Sequence, residues 1–405
     1  GEMSDVDGDP RLIVFIYAIP GYQGQAFDGF FRPEDLASFQ PGCESNPMAY
    51  CSNEAEMVHV NSTNAGSDYM IGVMAHEFQH LIHHNYDQSE ESWITESMSE
   101  LAMSANGYED AGHLHAYLTT HTDPLVTAEF VHYGAVMLWG TYLYETFGAD
   151  FIRALVKAPL NGLAGLTSAW QVTGIDADFP TTFADWTLAN AVDSYDLLDL
   201  PTVAPDGAVP ALVDGYAAGE VSVKPYTYLW LAGPVLGAGD DDELIVRFET
   251  ATDATLRVAG LLGDTLVAAT PAQAGGWRIA ANVDELIIAL GNPQGALANV
   301  TVGFEVDKPD VPEETTPEAE HVEVVEDTAV VADVVWTAEA SGDSTMPADE
   351  VSGYCDTHCC DYSCEDDESD DASGCTMSDK PATAAPFMLL LALALLITRR
   401  RPAST

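Results

Sequence analysis

The run His76-Glu77-Phe78-Gln79-His80 carries two imidazoles four residues apart and a carboxylate next to the first. On a helix, positions i and i+4 share a face, so both rings can grip one zinc ion. Glu77 is turned by about 100° from His76, so it reaches a water beside the metal instead of the metal itself. Water polarised by zinc ionises near neutral pH, and a carboxylate beside it can take the proton and pass it to a departing amine. That is the chemistry of peptide-bond hydrolysis. The surrounding run, Met70-Ile-Gly-Val-Met-Ala-His-Glu-Phe-Gln-His-Leu-Ile, has the apolar spacing of a buried helix, which argues against a chance match.

A catalytic zinc needs a third protein ligand and one open position. The metzincin pattern would require Gly at 83 and His at 86, where this chain has His83 and Tyr86, so that class is excluded. Downstream, Ser92-Trp-Ile-Thr-Glu-Ser-Met-Ser-Glu-Leu-Ala reads as a second helix with Glu96 and Glu100 one turn apart. The gluzincin arrangement would make Glu96 the third ligand and Glu100 the acceptor that fixes an imidazole tautomer. The competing reading is two solvated acids on a helix surface. The 16 residues from His80 to Glu96 require a tight helix–loop–helix, which the polar stretch from Asn85 to Ser92 can supply. If Glu96 does not serve, the third ligand is to be sought among His113, His115, His121 and His132. Tyr133 and His132 are candidates to stabilise a tetrahedral intermediate, against the plainer reading of a packed tyrosine at a helix start. His83 and His84 extend the first helix by a turn and are expected to be exposed, with no catalytic role. Asp5-Val-Asp-Gly-Asp resembles the start of a calcium loop but lacks the late Glu, which leaves Ca2+ there as an alternative.

The elements that must position these residues follow from periodicity. Residues 10–20 read as one buried strand ending at Pro20-Gly21, and Ala55-Glu-Met-Val-His-Val-Asn as a second. Helices are expected near 68–85, 93–106, 110–120, 130–147, 149–157 and 181–192, with Asp68 as an N-cap and Gly107 as a stop. A small sheet followed by many helices predicts an α+β catalytic domain over 1–195. After a Pro-rich change of character, residues 205–306 show alternating runs at Tyr226-Thr-Tyr-Leu-Trp-Leu, Glu243-Leu-Ile-Val-Arg-Phe, Ala254-Thr-Leu-Arg-Val-Ala, Glu285-Leu-Ile-Ile-Ala-Leu and Val300-Thr-Val-Gly-Phe-Glu-Val, the pattern of a β-sandwich. Residues 307–380 carry 23 Asp and Glu against two Lys and read as an extended acidic linker.

The chain has 405 residues and 47% apolar content, enough for two or three domains with a real core. Its 13 Lys and Arg stand against 65 Asp and Glu, a net charge of −52. Such a surface repels nucleic acid and anionic lipid, so neither is expected as a partner of the folded part, and the expected partner is a protein or peptide substrate. Among seven cysteines, Cys43 and Cys51 form a close pair, Cys355, Cys359, Cys360 and Cys364 a cluster, and Cys375 stands alone. Local disulfides in an oxidising compartment are the expectation, with a zinc knuckle at the cluster as the alternative.

The apolar run from Ala384 to Ile397 stops at Thr398 and Arg399-Arg400-Arg401, and at fourteen residues it is short for a stable span. With Gly374-Cys375 it resembles the MYXO-CTERM class of C-terminal sorting tags. That resemblance, placed on 381–401, implies export, processing near Cys375, and display on the cell surface or release, with membrane contact only through the tag. The segments Ser52-Asn-Glu-Ala-Glu-Met-Val, Ala75-His-Glu-Phe-Gln-His-Leu-Ile and Trp93-Ile-Thr-Glu-Ser-Met-Ser-Glu resemble the hyicolysin-type metallopeptidases. So do His132-Tyr133-Gly134 ahead of Leu143-Tyr-Glu-Thr-Phe-Gly, and Phe183-Ala-Asp-Trp with Ala189-Asn190. The likeness spans about residues 5–195. This chain has Thr95-Glu96-Ser97 where such families more often show Asn-Glu-Gly. The resemblance implies a mostly helical, zincin-like domain and an extracellular zinc endopeptidase. The alternative is a surface adhesin whose zincin-like domain no longer turns over, against which the intact Glu77 argues.

Overall fold

A computed structural model describes residues 6–307 except 10, 22–25, 46–50, 64, 109, 122, 129–131, 240 and 273–275, together with the backbone of Thr337–Ala338. The fold is mixed α+β, with six α-helices and three sheets among the described residues. Asp5, the cysteines from Cys355 on and the apolar run before Arg399 fall outside them; of the calcium-like start, Asp7 is described accepting from Asp9 N at 2.7 Å and Asp9 pairing with Arg11. Among the described residues no helix is long and apolar enough to cross a membrane.

The first sheet holds β1 (Ile13–Tyr17), β2 (Gly29–Phe31) and β3 (Met57–Asn61) in the order β1-β3-β2, with β1 parallel and β2 antiparallel to β3. Only the central strand is fully buried. The strand expected within 10–20 is present, but it is an edge strand and not a buried one. Ile13, Phe15 and Ile16 are 41%, 48% and 50% exposed. An apolar run carries no information about how many layers will cover it.

The chain between β2 and β3 is closed by the Cys43–Cys51 disulfide, the one expected pairing that lies within the described residues. Beneath it sits Asp35, wholly buried. It accepts from Arg32 Nη2 at 2.7 Å, Asn53 N at 3.1 Å and Asn53 Nδ2 at 2.7 Å, and meets His59 Nε2 at 2.9 Å. Burial alone would raise the Asp35 carboxyl, but His59 and Arg32 outweigh it and hold the group below the ordinary carboxylate value.

Six helices follow. α1 (Asp68–Tyr86) is capped by Ser67, whose Oγ accepts from Met70 N at 3.3 Å, so the cap falls one residue before Asp68. α2 (Ser92–Ala105) stops where Gly107 takes φ 80° and the Tyr108 amide turns back to the Met103 carbonyl. α3 (Ala111–Thr120) is capped by Asp110. α4 (Tyr133–Val156) breaks at Gly148 (φ 79°, ψ 175°), so the helices predicted at 130–147 and 149–157 are its two halves. α5 (Gly162–Thr173) was not expected from the sequence, and α6 (Phe179–Val192) is capped by Asp178. The helical core joins Trp93, Ile94, Met98 and Leu101 of α2 to Val136, Leu138, Trp139 and Leu143 of α4. These two helices approach so closely at Gly140 that a Cβ there would overlap the Ser97 carbonyl oxygen.

The remaining strands form two sheets. One has the order β10-β11-β7-β13-β5-β14, built from β5 (Tyr216–Val223), β7 (Glu243–Thr250), β10 (Thr270–Pro271), β11 (Trp277–Ala280), β13 (Ala298–Asp307) and β14 (Thr337–Ala338). The other has the order β4-β6-β12-β8-β9, built from β4 (Gly207–Ala208), β6 (Tyr228–Gly233), β8 (Thr255–Leu262), β9 (Thr265–Ala268) and β12 (Glu285–Gly291). Val221, Val246, Val302 and Phe304 of the first and Leu231, Val258, Leu286 and Ile288 of the second belong to one apolar core. β14, whose backbone lies parallel to β5, is the only described piece of the acidic stretch beyond Asp307.

Candidate metal centre

α1 presents two stripes. Met70, Val73, Glu77 and Leu81 recur at helical spacing and are buried, and Met70 and Val73 pack with Val60 of the small sheet. About 100° around the helix, His76 and His80 stack one turn apart toward α2, with ring centroids 4.8 Å apart. The loop from Asp87 to Glu91 is short, as the spacing requires, and α2 returns with Glu96 and Glu100 set against the two histidines. His76 Nε2 lies 3.0 Å from His80 Nε2 and 3.2 Å from Glu96 Oε2, and His80 Nε2 lies 3.4 Å from the same oxygen. His76 Nδ1 lies 2.9 Å from Glu100 Oε1. That contact is close but bent away from a straight N–H···O line.

These distances decide what the cluster can hold. Glu100 behind Nδ1 favours the tautomer with a proton on Nδ1, which leaves the Nε2 lone pair facing Glu96 and His80. Glu96 Oε2 is shut off from solvent and takes no aligned hydrogen bond, although its side chain is 19% exposed overall. The Nε2 atoms of both histidines, 3.0 Å apart, converge with Glu96 Oε2, and this donor set fits a divalent cation taking nitrogen and oxygen ligands. With protons alone to separate them, burial would lower the His76 pKa, yet contacts with Glu100 and Glu96 raise it well above the usual histidine value. Burial would raise Glu96, but His80 and His76 pull it below the usual carboxylate value. Glu77 goes the other way, because burial raises it and the two histidines only partly offset that.

Tyr133 opens α4 with its ring 6.0 Å from that of His76. Its other neighbour is His113, stacked at 5.3 Å and 20°. His113 Nδ1 in turn lies 3.1 Å from Asp110 Oδ2. His132 is occupied otherwise. Its Nδ1 accepts from Gly134 N at 3.2 Å as the cap of α4, and its ring packs on Tyr117. His121 is buried beside Asp206 at 2.7 Å and stacked on Tyr228. Among the described residues, the only groupings with metal-ligand spacing are His76 with His80 and Glu96, and Cys43 with Glu44 and Cys51, where both cysteines are already in the disulfide. None of His113, His115, His121 and His132 joins the first.

His83 departs from expectation. It is 1% exposed and its two ring nitrogens have no hydrogen-bond partner, so burial, and then His80, lower its pKa to about 4. The signal was available: seven residues separate it from His76, which keeps it on the stripe packed by α2. His84 is half-buried, its ring 5.5 Å from that of Phe31. The Asp35–His59 pair had no signal in the sequence, because only the tertiary fold brings it together, whereas Asp110–His113 is a three-residue capping spacing at the start of α3 that the sequence does carry. No family model, curated protein or solved structure matches this chain.

Proposed function

We propose that the chain is a zinc-dependent endopeptidase, with His76, His80 and Glu96 as metal ligands and Glu77 as general base. The observation that carries the reading is Glu96 Oε2, buried between two imidazole nitrogens at 3.2 and 3.4 Å without an aligned hydrogen bond. Zinc held there supplies a Lewis acid that lowers the pKa of water and polarises a peptide carbonyl. The chain's own residues do the rest. Glu77 takes a proton from the attacking water and delivers it to the leaving amine, a role for which burial raises its basicity against the pull of the two histidines. Glu100 holds the His76 ring in orientation. Tyr133, beside His76, is the donor for the developing oxyanion, and His132 serves as the cap that places it.

In this reading residues 1–195 form a zincin-like catalytic domain akin to the hyicolysin-type peptidases. Residues 205–306 form a β-sandwich, supported by two sheets sharing one core. Residues 307–380 are an acidic linker, and 381–401 a sorting tag for secretion or surface display. The disulfide between Cys43 and Cys51 supports an exported protein. Metal analysis with a peptide-library digest of the purified chain tests the assignment. About one zinc per chain and cleavage abolished by chelator are expected. Full cleavage by metal-free protein would sink it.

A further inference from the structure

β2 lies at the edge of its sheet, and in the antiparallel ladder the Asn61 amide bonds to the Asp28 carbonyl. Alternation along such a ladder gives Phe30 the next bonded pair and turns the amides of Gly29 and Phe31 away from β3. What lies on that free side is Glu77. The Phe31 backbone lies close enough to its carboxylate to lower its pKa. A Cβ placed on Gly29 would lie 2.7 Å from Val73 Cγ1 and 3.0 Å from both Cγ and Oε1 of Glu77. Carbon atoms in contact prefer about 3.5–4.0 Å, so even alanine would push against the base. Gly29 is not among the residues with positive φ, so its backbone does not demand glycine. The demand is for room beside Glu77.

The strand that makes this contact is itself held. Phe30 stacks on His59 at 4.4 Å and 16°, and His59 meets Asp35 at 2.9 Å. Arg32, which also binds Asp35, reaches the Cys51 carbonyl at 3.0 Å. We propose that β2 is the positioning strand of the general base, with Gly29 and the Phe31 amide together setting where the Glu77 carboxylate points. This rests on the metallopeptidase reading and adds a residue pair that the His-Glu-x-x-His motif does not contain.

The test uses the full chain carrying Gly29→Ala. Zinc content stays as in the unmodified protein, the melting temperature falls modestly because the new methyl crowds Val73, KM is little changed, and kcat falls by about 10- to 100-fold, the scale of a small misplacement of a reacting group. In a Glu77→Gln background the same change does nothing further, because the group it displaces is already disabled. Where Gly29→Ala alone does not fold, Val73→Ala in the same chain frees the first contact and leaves only the one to Glu77. A second readout needs no turnover: in Glu77→Ala, hydrogen exchange at the Phe31 amide speeds up while that at His59 does not. Unchanged kcat, an equal loss in the Glu77→Gln background, or indifferent exchange at Phe31 overturns the proposal. A chain that binds no zinc and cleaves no peptide refutes the metallopeptidase reading instead, and Phe31 exchange then still decides whether β2 holds Glu77.

Discussion

On the proposed metallopeptidase reading, three single substitutions around His76 separate ligand, orienter and base. Glu100→Ala removes the contact at 2.9 Å behind His76 Nδ1 and leaves Glu96 and both Nε2 atoms in place. Loss of such an outer partner costs about 10–100-fold in metal affinity, roughly 1.4–2.7 kcal/mol. Glu96→Ala removes one of three converging ligand atoms, so zinc affinity falls by more than about 100-fold, beyond the range for an outer partner. Glu77→Gln keeps the size of a buried side chain but abolishes proton acceptance. Zinc then binds as before, while kcat falls by about 10²–10⁴. Competition with a chromophoric chelator gives the three affinities, and single-substrate kinetics on the zinc-loaded proteins give the rates. The expected order of zinc affinity is unmodified and Glu77→Gln, then Glu100→Ala, then Glu96→Ala. If Glu96→Ala kept full affinity, or Glu77→Gln lost zinc, the assignment of roles would be wrong.

Further outcomes follow from the elements that hold the site. Gly140→Val forces α4 off the Ser97 carbonyl and spreads α2 from α4; a core overpacked in this way loses about 1–3 kcal/mol or more, read as a lower melting temperature. Asp35→Ala strands Arg32 and the buried His59 without their shared acceptor and costs about 3–5 kcal/mol in chemical denaturation. Because the folded pKa of Asp35 lies below its unfolded value, its contribution is complete above about pH 4 and fades as the pH falls through the folded value, so unmodified and Asp35→Ala proteins converge in stability at low pH. Reducing Cys43–Cys51, whose partners are 8 residues apart, costs about 2–3 kcal/mol on the loop-entropy account, measured by denaturation with and without reductant.

Local spacing was legible in the sequence and assembly was not. The His76/His80 pair and the Glu96/Glu100 pair announce themselves because each is one helical turn apart, a spacing that survives any tertiary arrangement. Helices rich in large apolar residues were found within a few residues of their ends. α5 was missed because Asn161-Gly-Leu-Ala-Gly opens it with two glycines, which read as a loop. β5 was missed because Tyr216-Ala-Ala-Gly-Glu has few β-formers, although it pairs along its length with β13. β1 was found and misplaced, since its apolar run says nothing of how far a single helix can cover a small sheet. His83 was misjudged by treating the end of α1 as free, although α2 covers the same stripe for another turn.

On the proposed reading, the two stripes of α1 let one helix carry both ligand and base without confusing them. The stripe of His76 and His80 faces α2, whose carboxylates converge on it, and the proposed cation would bridge the three converging atoms. The stripe of Glu77 faces the small sheet, where the neighbours are Val73, Gly29 and the Phe31 amide. A carboxylate in that setting is desolvated but not drawn onto the metal, because the helix holds it about 100° away from the ligand face. On the proposed reading its position is therefore set by the sheet, while the metal affinity is set by α2. The separation has a mechanical consequence. Changes in the chain from Arg32 to Asn53, which steadies β2 through Asp35 and His59, act on turnover with zinc retained. Changes at the α2–α4 contact move Glu96 and Glu100, and act on zinc affinity first.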